Sequence, residues 1–171
     1  MTLDDLLARE AVRDLVTRYN SYGDSGKFDL LWPLFAADAV MEIISASGAR
    51  AMHIGLDEIK QIFSRANDLV AGPAGAGRNA GVYIRHSTAT HQIDLVDADH
   101  GVGRCYFAVI IGSVGGLVGG LDDGSVDGSA GGLDHWGRYV DDYVRIDGAW
   151  RFQRRKVYVD GTSAESLFAG Q

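Results

Sequence analysis

The chain predicts an α+β fold, and three observations carry that expectation. The N-terminal part shows apolar residues at helical spacing. The C-terminal half holds long segments rich in β-branched and aromatic residues. Those segments are joined by Asp- and Gly-containing hairpin turns. Helices first and a strand meander after is an α+β order, not a doubly wound one.

Residues 4–22 predict the first helix. Leu7, Ala11, Val12, Leu15, Val16 and Tyr19 recur at spacings of three and four and make one apolar face. Thr2 is placed to cap it, and Asp4 and Asp5 suit its positive end. Gly23 and Gly26 supply the stop. A short helix is expected over roughly 27–36, with Phe28, Leu31, Trp32 and Phe35 on one side and Pro33 starting or kinking it. Residues 39–45 read as a strand, and 55–68 as a helix with Ile59, Ile62 and Phe63 inward. Four long strands follow, over 82–96, 102–114, 135–146 and 150–160.

Two stretches fall outside this scheme. Residues 71–81, "AGPAGAGRNAG", predict a flexible loop. Residues 112–134 are dense in Gly, Ser and Asp where a hairpin turn would suffice. That insertion reads as an extended hairpin tip, or as a lid whose glycines act as hinges. It holds neither glycine-rich phosphate-binding pattern. The whole chain, 1–171, is expected to be one domain.

Bulk composition narrows the function classes. The chain is 46% hydrophobic and 23% charged, within the globular range. Its net charge of −7, without a basic stripe, argues against nucleic acid and anionic membranes as partners. Cys105 is the single cysteine, so no internal disulfide forms. No signal-peptide pattern and no long apolar run are present, so the expectation is a cytoplasmic protein.

The histidines are His53, His86, His91, His100 and His135. His86 and His91 are an odd number apart and face opposite ways on a regular strand. With no H-E-x-x-H or C-x-x-C motif, no metal is expected, and no G-x-S-x-G marks a serine nucleophile. Val82, Ile84 and His86 share one strand face, but the apolar parity then switches to Ala89, Ile93 and Leu95. That switch predicts a β-bulge between residues 87 and 90. By pattern alone His86 is a satisfied interior histidine, an exposed strand residue or a working base. Asp24 is a turn former or a carboxylate aimed into a cavity. Tyr19 is core or catalyst. Arg154 and Arg155 are adjacent on a strand, so one faces inward and needs an anion or carbonyl.

Four stretches, in order, resemble the SnoaL-like branch of the nuclear transport factor 2 (NTF2-like) superfamily. They are "REAVRDLVTRYNSYGDSGKFDLLWPLFAADAVMEI", "GLDEIKQIF", "RHSTATHQIDLVDADHGVGRCYFAVI" and "GRYVDDYVRIDGAWRFQRRKV". Within the branch the chain is similar to scytalone dehydratase, bile-acid 7α-dehydratase and γ-hexachlorocyclohexane dehydrochlorinase. The resemblance implies a cone-shaped α+β barrel, with helices packed into a curved, mostly antiparallel sheet around an apolar pocket. It implies that Asp24 and His86 form an acid/base pair in that pocket. Tyr19 matches a tyrosine of the bile-acid enzyme, and Arg155 falls where the dehydrochlorinase has a functional arginine. The alternative for Arg155 is an internal ion pair. Two features depart from the pattern. Val109 stands near the place of the bile-acid enzyme's second acid, and no second histidine occupies that strand. His135 lies near the pocket end of a later strand.

Physically, a carboxylate that accepts one imidazole N–H fixes the tautomer and leaves the other nitrogen as a base. Tyr19 or Arg155 would then stabilise a leaving oxygen or a developing enolate. The expectation is a cofactor-independent lyase of dehydratase type, acting on a hydrophobic aromatic or polycyclic molecule. An isomerase or cyclase holding an enolate is the first alternative, and a non-catalytic binding module the second. The resemblance also implies a homodimer or homotrimer. Tyr139, Asp141, Tyr143 and Arg145 form a mixed face that a partner copy could meet.

Overall fold

The computed structural model describes residues 1–71, 82–113, 132–164 and 166. The loop expected at 71–81 and the body of the insertion at 112–134 therefore lie outside the described residues. Helix α1 spans Leu3–Asp24, α2 Phe28–Leu31 and α3 Leu56–Ala71. The strands are β1 (Phe35–Ile44), β2 (Arg50–Ile54), β3 (Val82–Leu95), β4 (His100–Ser113), β5 (Gly132–Ile146) and β6 (Ala149–Thr162). They form one mixed sheet in the order β2-β1-β6-β5-β4-β3. Only β1 and β6 run parallel among these pairs; the others are antiparallel. The architecture is α+β as expected, but the sheet stays open, with β2 and β3 as its edges.

The start of α1 follows the expected chemistry. Thr2 Oγ1 accepts the Asp5 N–H at 3.1 Å, and Asp5 Oδ2 accepts the Thr2 N–H at 2.6 Å. This reciprocal capping box satisfies two otherwise orphaned donors. Val12, Leu15, Val16 and Tyr19 of α1 are buried, whereas Leu7 is 59% exposed and Ala11 faces solvent. Periodicity marks an apolar stripe but not how far the sheet extends beneath it. Pro33 ends the second helix early: a 3₁₀ turn over Trp32–Leu34 follows α2, and β1 begins at Phe35.

The bulge in β3 falls two residues beyond Thr88, close to its expected place. Ala89 pairs with Tyr106 and Gln92 with Arg104, so Thr90 and His91 face a single residue of β4. Thr90 has φ +56°, a left-handed value that a β-branched side chain resists. The extra residue switches the inward parity, so Ile84 and His86 before it and Ile93 and Leu95 after it share the concave side.

The concave side is packed by Val12, Leu15, Val16, Tyr19, Phe35, Met41, Phe107, Val109 and Phe152. Tyr139, Asp141 and Tyr143, expected on a face that meets a partner, are each 2% exposed or less. The correction has a simple cause: Asp141 is neutralised by Arg155 within the sheet's inner layer, so a mixed polar row is compatible with burial. No helix among the described residues is long and apolar enough to cross a membrane.

Candidate functional site

Helix α1 ends through its backbone and Gly26. Lys27 N–H reaches Tyr22 O at 2.9 Å, Gly26 N–H reaches Gly23 O at 3.1 Å, and Gly26 takes φ +64°. This is a Schellman stop, and it makes no use of the Asp24 carboxylate. An acid in a last turn also faces the negative end of the helix dipole, and no basic side chain balances it there.

The compensation comes from β3. Asp24 Oδ2 accepts the His86 backbone N–H at 2.8 Å, and Oδ1 accepts Nδ1–H of its ring at 2.6 Å. Because β3 is an edge strand, that backbone donor lacks a strand partner and Asp24 supplies one. The two side chains are 8% and 22% exposed. With the proton held on Nδ1, Nε2 carries the lone pair and is the basic atom.

The His86 ring lies 6.5 Å from Phe107 and 6.4 Å from the ring of His135. His135 belongs to a second pair: its Nδ1–H donates to Asp134 Oδ2 at 2.7 Å. A bulge makes this local pairing possible. Val109 faces His135 and Ile110 faces Leu133, so Asp134 is the extra residue. Val109 is also the cross-strand partner of His86, which sets it between the two imidazoles. Burial pushes the His135 pKa down, against the raising effect of Asp134.

Tyr19 and Arg155 form a separate cluster. Arg155 is fully buried and grips Asp141 twice, Nε to Oδ1 at 2.9 Å and Nη2 to Oδ2 at 2.8 Å. Its guanidinium lies over the rings of Tyr19, Tyr139 and Phe152 at 4.1, 4.0 and 4.1 Å. Tyr143 Oη donates to the same Asp141 at 2.9 Å. Burial raises the phenol pKa of Tyr19, with Arg155 opposing, so Tyr19 stays protonated. The structure thus joins Asp24 to His86 and Tyr19 to Arg155, with no hydrogen bond between the two clusters among the described residues. Stacked Phe107 and Tyr139, 4.5 Å apart, link them through packing.

A groove of about 390 Å³ opens beside the Asp24–His86 pair. Thr17, Asn20, Ser21, Ser25, Arg85 and Thr88 share its lining with the pair, so this groove is lined by polar residues and is not the apolar pocket that the resemblance implies. No cluster of three or more His, Cys, Asp or Glu side chains able to hold a metal occurs among the described residues. Of the other histidines, His91 Nε2 lies 3.4 Å from Tyr143 Oη, and His100 is bonded to exposed Asp97.

The fold is that of an NTF2-like α+β protein. Within that class the chain belongs to the SnoaL-like domain family, whose model matches residues 4–156. No curated protein matches the chain. Solved structures do. LinA is 19% identical, covering 99% of this chain and 98% of its own, with a TM-score of 0.69. A candidate scytalone dehydratase from Novosphingobium aromaticivorans is 21% identical, covering 95% and 91%, with a TM-score of 0.68. A hexachlorocyclohexane dehydrochlorinase, LinA-type3, from Novosphingobium barchaimii is 17% identical, covering 94% and 92%, with a TM-score of 0.65. At these identities the likeness is one of fold.

Two features of the site escape a reading of the sequence. The proximity of His135 to His86 depends on two strand registers and a bulge. Asn20 sits four residues before Asp24, a helical spacing that puts both on one side of α1.

Proposed function

We propose that this protein is a cofactor-independent lyase that eliminates a small group from a hydrophobic ring compound. The observation that supports it is the double hydrogen bond from His86 to Asp24, at 2.8 and 2.6 Å. The fold neighbours named as a candidate scytalone dehydratase and a hexachlorocyclohexane dehydrochlorinase are in keeping with it.

In this reading Nε2 of His86 takes a proton from a carbon next to the bond that breaks. The C–H electrons form the new double bond, and the leaving group departs with its own bonding pair. The Asp24 carboxylate stabilises the imidazolium as it forms. Tyr19, held protonated, is buried beside Arg155 and does not line the groove; its hydroxyl would hydrogen-bond the departing oxygen or the developing enolate of a ring compound that reaches between the two clusters. Arg155 acts as a positioning residue that holds Tyr19 through the face of its ring. Self-association as a dimer or trimer belongs to the same proposal, and sedimentation equilibrium tests it.

The test of the chemistry is a panel of phenols, steroids and lignin-type aromatics, run on wild type and His86→Ala with products read by mass spectrometry. The expected result is a compound that binds both proteins, loses a small fragment with wild type, and stays intact with His86→Ala. Product of unchanged mass points to an isomerase instead. Binding without conversion by wild type sinks the enzyme reading.

A further inference from the structure

With Tyr19 and Arg155 buried in their own cluster, one cationic side chain lines the groove beside Asp24 and His86, and it is Arg85. Arg85 is exposed and stands next to His86 in edge strand β3. Successive strand residues point to opposite faces. The two nevertheless line one groove, which its place at the free edge of the sheet allows.

A guanidinium carries a fork of N–H donors and a charge that stays on at any working pH. Among the described residues Arg85 uses one of those donors: Nη1 donates to Ile84 O, in its own strand, at 2.6 Å. Its guanidinium carbon lies 5.6 Å from the centre of the Tyr83 ring. Arg13, Arg18, Arg50, Arg138, Arg154 and Arg155 each pair with a carboxylate, and Arg85 does not among the described residues. The other formal charge lining the groove is Asp24, and both of its oxygens accept from His86. The acid is therefore committed and the cation is not. Ser21, Ser25 and Thr88 add hydroxyl donors along the same walls.

We infer that Arg85 is a specificity residue whose guanidinium binds a carboxylate carried by the ring compound in the groove beside Asp24 and His86. The fork of an arginine matches the two oxygens of a carboxylate. The ligand class is a ring compound with a single negative charge, because the fixed charge of Asp24 in the same groove repels a dianion. A polar groove with one uncommitted cation suits such a ligand better than a wholly apolar one. The inference rests on the lyase reading for its use, since holding the carboxylate at Arg85 fixes which ring carbon faces Nε2 of His86. The binding itself is measured without turnover.

The experiment measures the affinity of the full chain for 2-naphthoate and for 2-naphthamide, which share the rings and differ in the charge. Wild type, Arg85→Gln, Arg85→Ala and Arg104→Gln are compared, with thermal melts in parallel. Wild type is expected to prefer 2-naphthoate about fivefold, the upper range for an ion pair in contact with water. Arg85→Gln is expected to melt with wild type, since the side chain is exposed, and to bind the two probes within about twofold of each other. Arg85→Ala repeats the loss without the amide donor that glutamine brings. Arg104 is exposed and does not line the groove, so Arg104→Gln is expected to keep the preference. Equal affinity in wild type, binding of neither probe, a preference that survives in the folded Arg85 variants, or one that Arg104→Gln abolishes overturns the inference. Discrimination by a wild-type protein that converts no compound would remove the lyase reading and leave this one standing; conversion without discrimination would do the reverse.

Discussion

Asp24 takes both N–H groups of His86, one from the backbone at 2.8 Å and one from the ring at 2.6 Å. A single carboxylate therefore fixes where the strand passes and which imidazole nitrogen is basic. Asp24→Asn breaks this arrangement, because an amide oxygen accepts one of the bonds while its NH₂ confronts the other donor. We expect kcat/KM on a converted compound to fall by roughly 10²–10⁴. Asp24→Ala adds an unsatisfied backbone donor and lowers stability by about 1–3 kcal/mol. Urea unfolding separates the two effects. Full activity in Asp24→Asn would exclude the pair from the chemistry.

The Arg155–Asp141 pair makes a different prediction. Both side chains are fully buried, so removing one strands the other. Arg155→Met alone is expected to cost about 3–5 kcal/mol. Adding Asp141→Leu should recover a large part of that loss. A double-mutant cycle by chemical denaturation checks it, and strictly additive losses would contradict the pairing.

Gly26 governs where Asp24 ends up. At φ +64°, Gly26→Ala is expected to cost about 1–2 kcal/mol. The same change should lower activity more than it lowers the folded fraction, since it disturbs the turn that follows Asp24. Comparing activity with folded fraction at 15 °C checks this. Activity that tracks folding alone would remove the link between the stop and the site.

Acid should weaken the fold earlier than carboxylates alone dictate. Burial holds the pKa values of His91 and His135 below the ordinary imidazole value. Above pH ~6.5 both imidazoles are neutral, folded or unfolded, and their contribution is complete. Below that pH the unfolded chain binds protons that the folded chain refuses, so stability falls as pH falls towards the folded values. Thermal melts from pH 7.5 to 5 should show this decline, and His91→Gln should make it shallower. An unchanged slope in His91→Gln would assign the decline elsewhere.

Local features were legible in the sequence. The Thr2 cap, the buried stripe of α1, the β3 bulge and the alternation that buries Arg155 but not Arg154 all rest on residues a few positions apart. Features that depend on distant partners were not. Strand β2 escapes notice because its five residues are mostly exposed and show no alternation. Tyr139 and Tyr143 look like surface residues in a charged segment until Arg155, far along the chain, neutralises the aspartate between them. Of the candidate site, Asp24 and His86 could be named from resemblance. Their hydrogen bonds and the nearby His135 required the fold.

The open edge of the sheet carries one more consequence. Along β3, α1 plugs two backbone positions: Asp24 takes the His86 N–H, and Arg9 Nη1 donates to Ile93 O. An unplugged edge is a template on which another chain can add a strand. The residue proposed for catalysis thus also occupies a backbone donor on which an added strand would pair. Variants of Asp24 should be compared by their tendency to form fibrils as well as by their turnover, because a screen that scores soluble yield would credit this position with the wrong role.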